Sequence, residues 1–224
     1  MQPKNLLDGI RNAFEKMKEW VKISPRGAMS TEFRFSIHRT AQAIAILLKR
    51  QGGRMSYMRA IKLLYLADRE SLREIGYPIT GDRFFALERG PILSYTLDLF
   101  KADAGCEPED LRYWQSTFQR QDYEILLACD PGDGELCDYE VRKLEEVSIR
   151  FKDYDDWDLV RYTHKYCKEY QKNEPTKGHN KRIPLIDVIE AVGRLASVKE
   201  IEQAAKESWY FNSLFIHPPH KCRK

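Results

Sequence analysis

The feature that most constrains the fold is a pair of helical patterns on either side of Gly52-Gly53. Apolar residues recur there at steps of three and four, the spacing of a helix with one buried face. They are Ile37, Ala41, Ile44, Leu47 and Leu48, then Met58, Ile61, Leu64, Tyr65, Leu72 and Ile75. Ser56 is placed to cap the second helix, and Gly76 followed by Pro78 predicts its end. The sequence therefore predicts two long helices joined by a glycine turn.

The remaining patterns predict further helices and little β-structure. Phe84 to Leu87 has the composition of a short strand, and Pro91 suits the first turn of a helix that continues through Phe100. Tyr123 to Cys129 is apolar and precedes the turn-forming run Asp130 to Gly134, which predicts a β-hairpin there. Strands do not alternate with helices, so a doubly wound sheet is disfavoured. We predict a mainly α fold, a helical domain with a small antiparallel β-hairpin element, plus an N-terminal amphipathic helix.

Breaks in the pattern divide the chain into three parts. Ser24-Pro25-Arg26-Gly27 ends the first helix, so residues 1–28 are predicted to be an N-terminal extension. Residues 29–196 form the predicted helical domain. Its later helices are expected from Asp138, over 156–172 and over 183–195. Ser197-Val198-Lys199-Glu200 has the capping-box form and opens a C-terminal helix, which a basic tail follows within residues 197–224.

The N-terminal extension carries an apolar stripe that must cover something, either its own domain or another protein. Leu6, Ile10, Phe14 and Met17 lie on one face of the predicted helix. We interpret these four residues as partner-binding anchors that would enter a groove of another protein.

Composition excludes several classes of protein. No apolar run approaches the ~20 residues of a membrane span. The N-terminus lacks the apolar core and cleavage site of a signal peptide, so we expect a cytoplasmic protein without membrane contact. The five cysteines are scattered and include no CxxC pair, which favours reduced thiols over a disulfide framework or structural zinc.

Charge is unevenly distributed, although the net charge is only +3. Residues 101–160 contain 7 basic and 17 acidic residues, whereas residues 161–182 contain 7 basic and 2 acidic residues. A nucleic-acid binder needs one broad basic face, so this segregation disfavours nucleic acid as a partner. It suits contact with a charged protein surface, and a solvated surface of mixed sign is the alternative.

Asp68 and the turn that follows its helix are the first candidate site. Asp68 lies at the edge of the core stripe, where a carboxylate needs hydrogen-bond donors. Arg83 and the N–H groups around Gly81 are candidate donors, so we predict that Asp68 fixes the turn from Thr80 to Arg83 to the helix. A catalytic acid or base is the alternative. Thr80-Gly81-Asp82 could instead bind phosphate, but no lysine follows in P-loop register.

His164 and the C-terminal tail are the other candidates for chemistry. His164 has no recognisable nucleophile motif, so we interpret it as a hydrogen-bonded core histidine. It shares a helical face with Cys167, and His217, His220 and Cys222 lie close in sequence, but neither group forms a recognisable metal set. We predict no catalytic residues, no metal and no cofactor, with a small-molecule enzyme as one alternative.

A DNA-binding regulator is the other alternative. The two helices around Gly52-Gly53 vaguely resemble a helix-turn-helix. Arg59, Lys62, Arg69 and Arg73 on the second helix could contact phosphates. The same helix uses its face for leucine, tyrosine and aspartate, which counts against a recognition helix.

The strongest resemblance to a known family lies in residues 62–92, which read KLLYLADRESLREIGYPITGDRFFALERGPI. This run resembles the signature of the Panacea domain family, the SocA-like or GepA-like antitoxins. The family has a second aromatic where Leu66 stands here, and its Pro-x-Trp is absent after His164. Looser similarity in Trp157 to His164 and in Ile183 to Ile186 extends the resemblance over residues 36–195.

The resemblance implies that residues 29–196 are a Panacea-like domain, the antitoxin half of a bacterial or phage toxin–antitoxin pair. Such an antitoxin neutralises its cognate toxin by direct contact, and some members of the family are associated with delivery of the toxin to a protease. The signature positions would form a structural core: Tyr65, Asp68, Arg69, Pro78, Thr80, Gly81, Asp82, Arg83, Gly90, Pro91 and His164.

Overall fold

A computed structural model describes residues 32–214 and places side chains for residues 32–209. The helices are α1 Ile37–Arg50, α2 Tyr57–Ile75, α3 Ser94–Lys101, α4 Pro108–Thr117, α5 Asp138–Arg150, α6 Asp156–Tyr166, α7 Lys168–Lys172, α8 Leu185–Ala191 and α9 Val198–Leu214. The strands are β1 Arg54–Ser56, β2 Phe84–Leu87, β3 Gly90–Leu93, β4 Phe118–Gln121, β5 Glu124–Leu127 and β6 Lys181–Arg182. The predicted anchors Leu6, Ile10, Phe14 and Met17, and the tail with His217, His220 and Cys222, lie outside the described residues.

Helices dominate the described region, and the strands form two small antiparallel sheets, which confirms the predicted fold class. One sheet has the order β1-β5-β4, with Met55 opposite Ile125. The other has the order β3-β2-β6, with Phe85 opposite Ile92. Within the described residues, no helix combines the length and the apolar character that crossing a membrane requires.

Helix α2 is the centre of the fold and packs against α1, α5, α6 and β3. The Ser56 side chain accepts the Arg59 N–H at 3.0 Å, and Gly76 ends the helix with φ 74°, so both predicted helix ends are confirmed. Neighbours cover the helix on more than one face, because every residue from Arg59 to Asp68 is buried. Polar side chains within this stretch must therefore find their hydrogen-bond partners inside the protein.

The β-hairpin was predicted to turn at Asp130 to Gly134, and this position of the turn is wrong. Strand β5 does form, but it pairs with β4 on its N-terminal side, and the tight turn lies at Asp122, which has φ 52°. The run from Asp130 is a loop instead, in which the Asp130 side chain accepts the Gly132 N–H at 3.0 Å and pairs with Lys49. The turn-forming residues at 130–134 therefore form a loop here and do not connect two strands of a hairpin.

Two predicted helix boundaries also differ from the structure, and the C-terminal helix agrees with it. Pro91 lies in strand β3 rather than in the first turn of a helix, and it fits there because β3 is the edge strand of its sheet. The helix predicted over 156–172 is interrupted at Cys167, whose extended backbone separates α6 from α7. The predicted C-terminal helix forms, and Ile201 and Ala205 of α9 are buried in the same core as α2.

Candidate functional site

The first candidate site lies where the chain leaves α2 and turns back along it. We call Asp68 and residues 78–83 the Asp68 corner. Asp68 is fully buried, and its Oδ1 accepts the backbone N–H groups of Ile79 at 2.9 Å and Thr80 at 3.0 Å. Its Oδ2 accepts the Thr80 hydroxyl. The carboxylate thus holds the loop against the helix.

Asp82, also buried, connects the corner to α3. Its Oδ2 accepts the backbone N–H of Thr96 at 2.8 Å and the Thr96 hydroxyl at 2.7 Å, and its Oδ1 accepts the Tyr95 N–H at 3.0 Å. Leu93, at the N-cap position of α3, makes no side-chain cap hydrogen bond. Asp82 therefore accepts two of the free N–H groups at the start of α3, those of Tyr95 and Thr96, from a different part of the chain.

Gly81 allows the corner to meet the first described segment of the chain. It has φ +71°, and a Cβ atom there would lie 2.0 Å from the carbonyl oxygen of Arg34. The adjacent Thr80 carbonyl accepts the Ser36 N–H at 3.0 Å. The left-handed backbone and the close approach together require glycine.

The pKa values of the two corner acids are raised by their burial. Burial raises the pKa of Asp68 to about 7, while the hydrogen bonds from Thr80 and Ile79 act in the opposite direction. Burial likewise raises the pKa of Asp82, against the hydrogen bonds from Thr96 and Tyr95. Both acids are thus supplied by neutral donors, an arrangement that suits structural carboxyl groups.

The structure differs from the prediction that Arg83 donates to Asp68, and it disfavours the alternative of a phosphate site. The Arg83 side chain is exposed, and the donors to Asp68 come from Ile79 and Thr80 instead, because Arg83 already lies beyond the turn at the entry to β2. The alternative of a phosphate site is disfavoured, since the N–H groups of Thr80 and Asp82 donate to Asp68 and to the Thr80 hydroxyl. Pro78 is buried at the start of the same turn.

A second buried group joins α2 to α7. Glu169 Oε1 accepts the Tyr65 hydroxyl and the Arg69 Nε–H, each at 2.7 Å. Burial, and then the Glu169 carboxylate, raise the pKa of Tyr65 well above its usual range. Sequence reasoning placed Tyr65 and Arg69 in the signature core but gave Glu169 no role. Their partner lies 100 residues after Arg69, and no local pattern marks it.

A third group surrounds Lys62, beneath strand β3. Lys62 is 1% exposed, and its Nζ donates to the Pro91 carbonyl at 2.7 Å. A Cβ atom on Gly90 would lie 2.7 Å from that Nζ and 2.9 Å from the Thr163 hydroxyl, so glycine leaves room for both groups. A lysine inside a continuous apolar helical stretch was the sequence signal for this position.

His164 and Cys167 lie near Lys62 but do not form a reactive pair. The His164 ring packs against Tyr170 with centroids 4.6 Å apart, and within the described region its buried Nε2 has no hydrogen-bond partner. The prediction that His164 is hydrogen-bonded in the core is therefore wrong for its Nε2 atom. Burial lowers the pKa of Lys62 to about 7 and raises that of the Cys167 thiol to about 12. A thiol held neutral is a poor nucleophile.

The structure counts against two of the alternatives. Among residues 32–209, no group of three or more His, Cys, Asp or Glu side chains could hold a metal ion. The cations suggested for DNA contact are bonded within the domain. Arg59 donates to the Phe151 carbonyl at 2.8 Å, Arg69 pairs with Glu169, and Arg73 donates to Glu70 at 2.8 Å.

Comparison with known families addresses the same part of the chain. Residues 61–170 match the family model described as antitoxin SocA-like, Panacea domain. Residues 61–170 are therefore similar to a SocA-like Panacea domain. The matched range begins in α2 and ends in α7, so it includes the Asp68 corner, the Glu169 group and Lys62. No curated protein and no solved structure is significantly similar to the chain.

Proposed function

We propose that this protein is an antitoxin that neutralises a cognate toxin by direct protein–protein binding. The match of residues 61–170 to an antitoxin family carries the proposal. The buried acids support it, because Asp68, Asp82 and Glu169 are bonded to groups of the domain itself. That pattern suits a rigid, non-enzymatic binding platform. We also propose that the protein acts in the cytoplasm, as the N-terminal sequence predicts.

Variable contact with the toxin is proposed for two segments. The stripe of Leu6, Ile10, Phe14 and Met17 offers apolar anchors at helical spacing. The acidic segment 101–160 offers charge complementarity to a basic partner. Deletion of residues 1–28 separates these contributions, because an unchanged toxin affinity by calorimetry would remove the stripe from the interface.

The test of the proposed function uses the product of the reading frame next to this gene as the toxin. Its expression alone should stop bacterial growth, and co-expression of this chain should restore growth. The two purified proteins should elute together in size-exclusion chromatography. Growth rescue without any complex between the two proteins would contradict direct binding.

Delivery of the toxin to a protease is a separable version of the proposal. It predicts that the half-life of the toxin in a pulse-chase experiment shortens when this chain is present. Simple neutralisation predicts an unchanged or longer half-life. Repeating the measurement in strains that lack single ATP-dependent proteases identifies the protease if one takes part.

A further inference from the structure

A cavity of about 270 Å³ opens between the start of α2, the β2–β3 hairpin and α3. We call it the Lys62 cavity. Much of its wall is apolar, and Lys62 is part of that wall. Its volume is slightly below the usual range for ligand pockets, so it suits one inserted group rather than a large molecule. The apolar side chains that line it include Met58, Ile61, Leu87, Ile92 and Leu97.

The charges around the cavity are unbalanced. Lys62, Arg89 and Lys101 line it, and Asp156 is the acid that lines it with them. Asp98, which is not in the lining, interacts electrostatically with Lys101. The Lys62 amine, whose pKa burial lowers to about 7, has three N–H donors when protonated, and the hydrogen bond to the Pro91 carbonyl uses one of them. Asp156 is the one acid in the described lining, and it already accepts a hydrogen bond from the Ser56 hydroxyl at 2.5 Å. The cavity therefore favours a group with negative charge.

The mouth of the cavity has the composition of a protein interface. Tyr123 lines the cavity and is 71% exposed. Trp157 follows Asp156, is 51% exposed, and carries the Arg89 guanidinium 5.4 Å from its ring centroid. Exposed tyrosine, tryptophan and arginine are the residues enriched at binding hot spots. A protein partner fits this rim better than a free metabolite, which would not need it.

We propose that the Lys62 cavity receives an aspartate or glutamate side chain of the toxin, whose carboxylate pairs with Lys62 while Tyr123 and Trp157 contact the surrounding toxin surface. This inference rests on the proposed antitoxin function and assigns it a binding site. The methylene groups of the acidic side chain pack against Ile92 and Leu97. Arg89 and Lys101 at the rim attract the same segment as it approaches.

Calorimetry of toxin binding to three variants tests the site. Leu97→Trp fills the cavity without altering Lys62, and Lys62→Met removes the charge at nearly constant volume. We expect each to weaken toxin binding at least tenfold. Lys49→Gln also removes one positive charge, but its position is outside the cavity lining, and we expect it to change binding less than twofold.

Substitution of each toxin aspartate and glutamate by its amide then identifies the inserted residue. For the correct residue, the amide should weaken binding to the parent but not to Lys62→Met. If Lys62→Met does not fold, Arg89→Gln combined with Lys101→Gln replaces it, since both side chains are exposed. Parental affinity in folded Leu97→Trp and in a charge variant would overturn the cavity proposal and leave the antitoxin function intact.

A second measurement does not depend on the toxin. Ligand-observed NMR should detect hexanoate bound to the parent protein, much weaker binding of hexanamide, and no binding of hexanoate to Leu97→Trp. Equal binding of hexanoate and hexanamide would overturn the charge preference of the cavity. Hexanoate binding together with toxin affinity that Leu97→Trp leaves unchanged would assign the cavity to a free carboxylic acid and overturn its role in toxin contact.

Discussion

The Asp68 corner and the Lys62 cavity both bury an ionisable side chain of α2, and they satisfy it differently. Asp68 accepts hydrogen bonds from two backbone N–H groups and a hydroxyl, and no solvent reaches it. Lys62 is itself only 1% exposed, donates to one carbonyl, and lies in the wall of a cavity. The corner is complete by itself, whereas the cavity retains donor capacity. Helix α2 thus carries one buried acid that holds a loop in place, Asp68, and one buried lysine next to a cavity, Lys62.

The largest expected effect comes from removing the corner acid. Asp68→Ala leaves the Ile79 and Thr80 N–H groups buried without an acceptor, so we expect a loss of about 3–5 kcal/mol in the free energy of unfolding. Urea denaturation followed by circular dichroism measures it. Asp68→Asn keeps one acceptor oxygen and should cost about 1–2 kcal/mol. An alanine variant as stable as the parent would show that the corner does not depend on Asp68.

A pair of glycine substitutions separates close packing from backbone conformation. Gly81 and Gly53 both have positive φ, but only Gly81 approaches another backbone segment; Gly53 has open space around it. We expect Gly81→Ala to cost about 3 kcal/mol or more and Gly53→Ala about 1–2 kcal/mol, from their denaturation midpoints. Equal losses at the two positions would mean that contact with Arg34 contributes nothing.

The sequence predicted helix α2 and the need of Asp68 for hydrogen-bond donors better than it predicted the contacts between distant elements. Helical spacing, the Ser56 cap and Gly76 predicted α2, and the edge position of Asp68 in the apolar stripe predicted a need for donors. It did not reveal that Asp82 caps α3 or that Glu169 binds Tyr65, because those contacts join elements distant in sequence. The hairpin turn predicted at Asp130 to Gly134 was wrong, because Asp-Pro-Gly at 130–132 is compatible with a hairpin turn and also with a loop.

The pH dependence of stability should distinguish the two buried groups by sign. The pKa of Asp68 is about 7 in the folded protein and near 3.8 when unfolded, so its contribution is complete below pH 3.8 and is lost as pH rises toward 7. The stability difference between the parent and Asp68→Asn should therefore fall over that window, by at most about 1.4 kcal/mol per pH unit. A flat difference would show that burial does not perturb this carboxyl group.

Lys62 should show the opposite slope and the smallest effect at neutral pH. Its pKa falls from 10.5 to about 7 on burial, so its contribution is present above pH 10.5 and is lost as pH falls toward 7. At pH 7 we expect Lys62→Met to change stability by less than about 1 kcal/mol, since one lost hydrogen bond is offset by removal of a buried cation. A decrease in the free energy of unfolding as large as that of Asp68→Ala would show that Lys62 stabilises the fold as strongly as Asp68 does.

The contact between Gly81 and Arg34 has a consequence for engineering the protein. The same short segment also reaches α9: the Arg34 N–H donates to the Ser208 hydroxyl at 3.0 Å, and the Trp209 indole donates to the Glu32 carbonyl at 2.8 Å. The two ends of the described domain therefore lie side by side. A short linker should be enough for circular permutation, or for inserting the domain into a loop of a reporter enzyme.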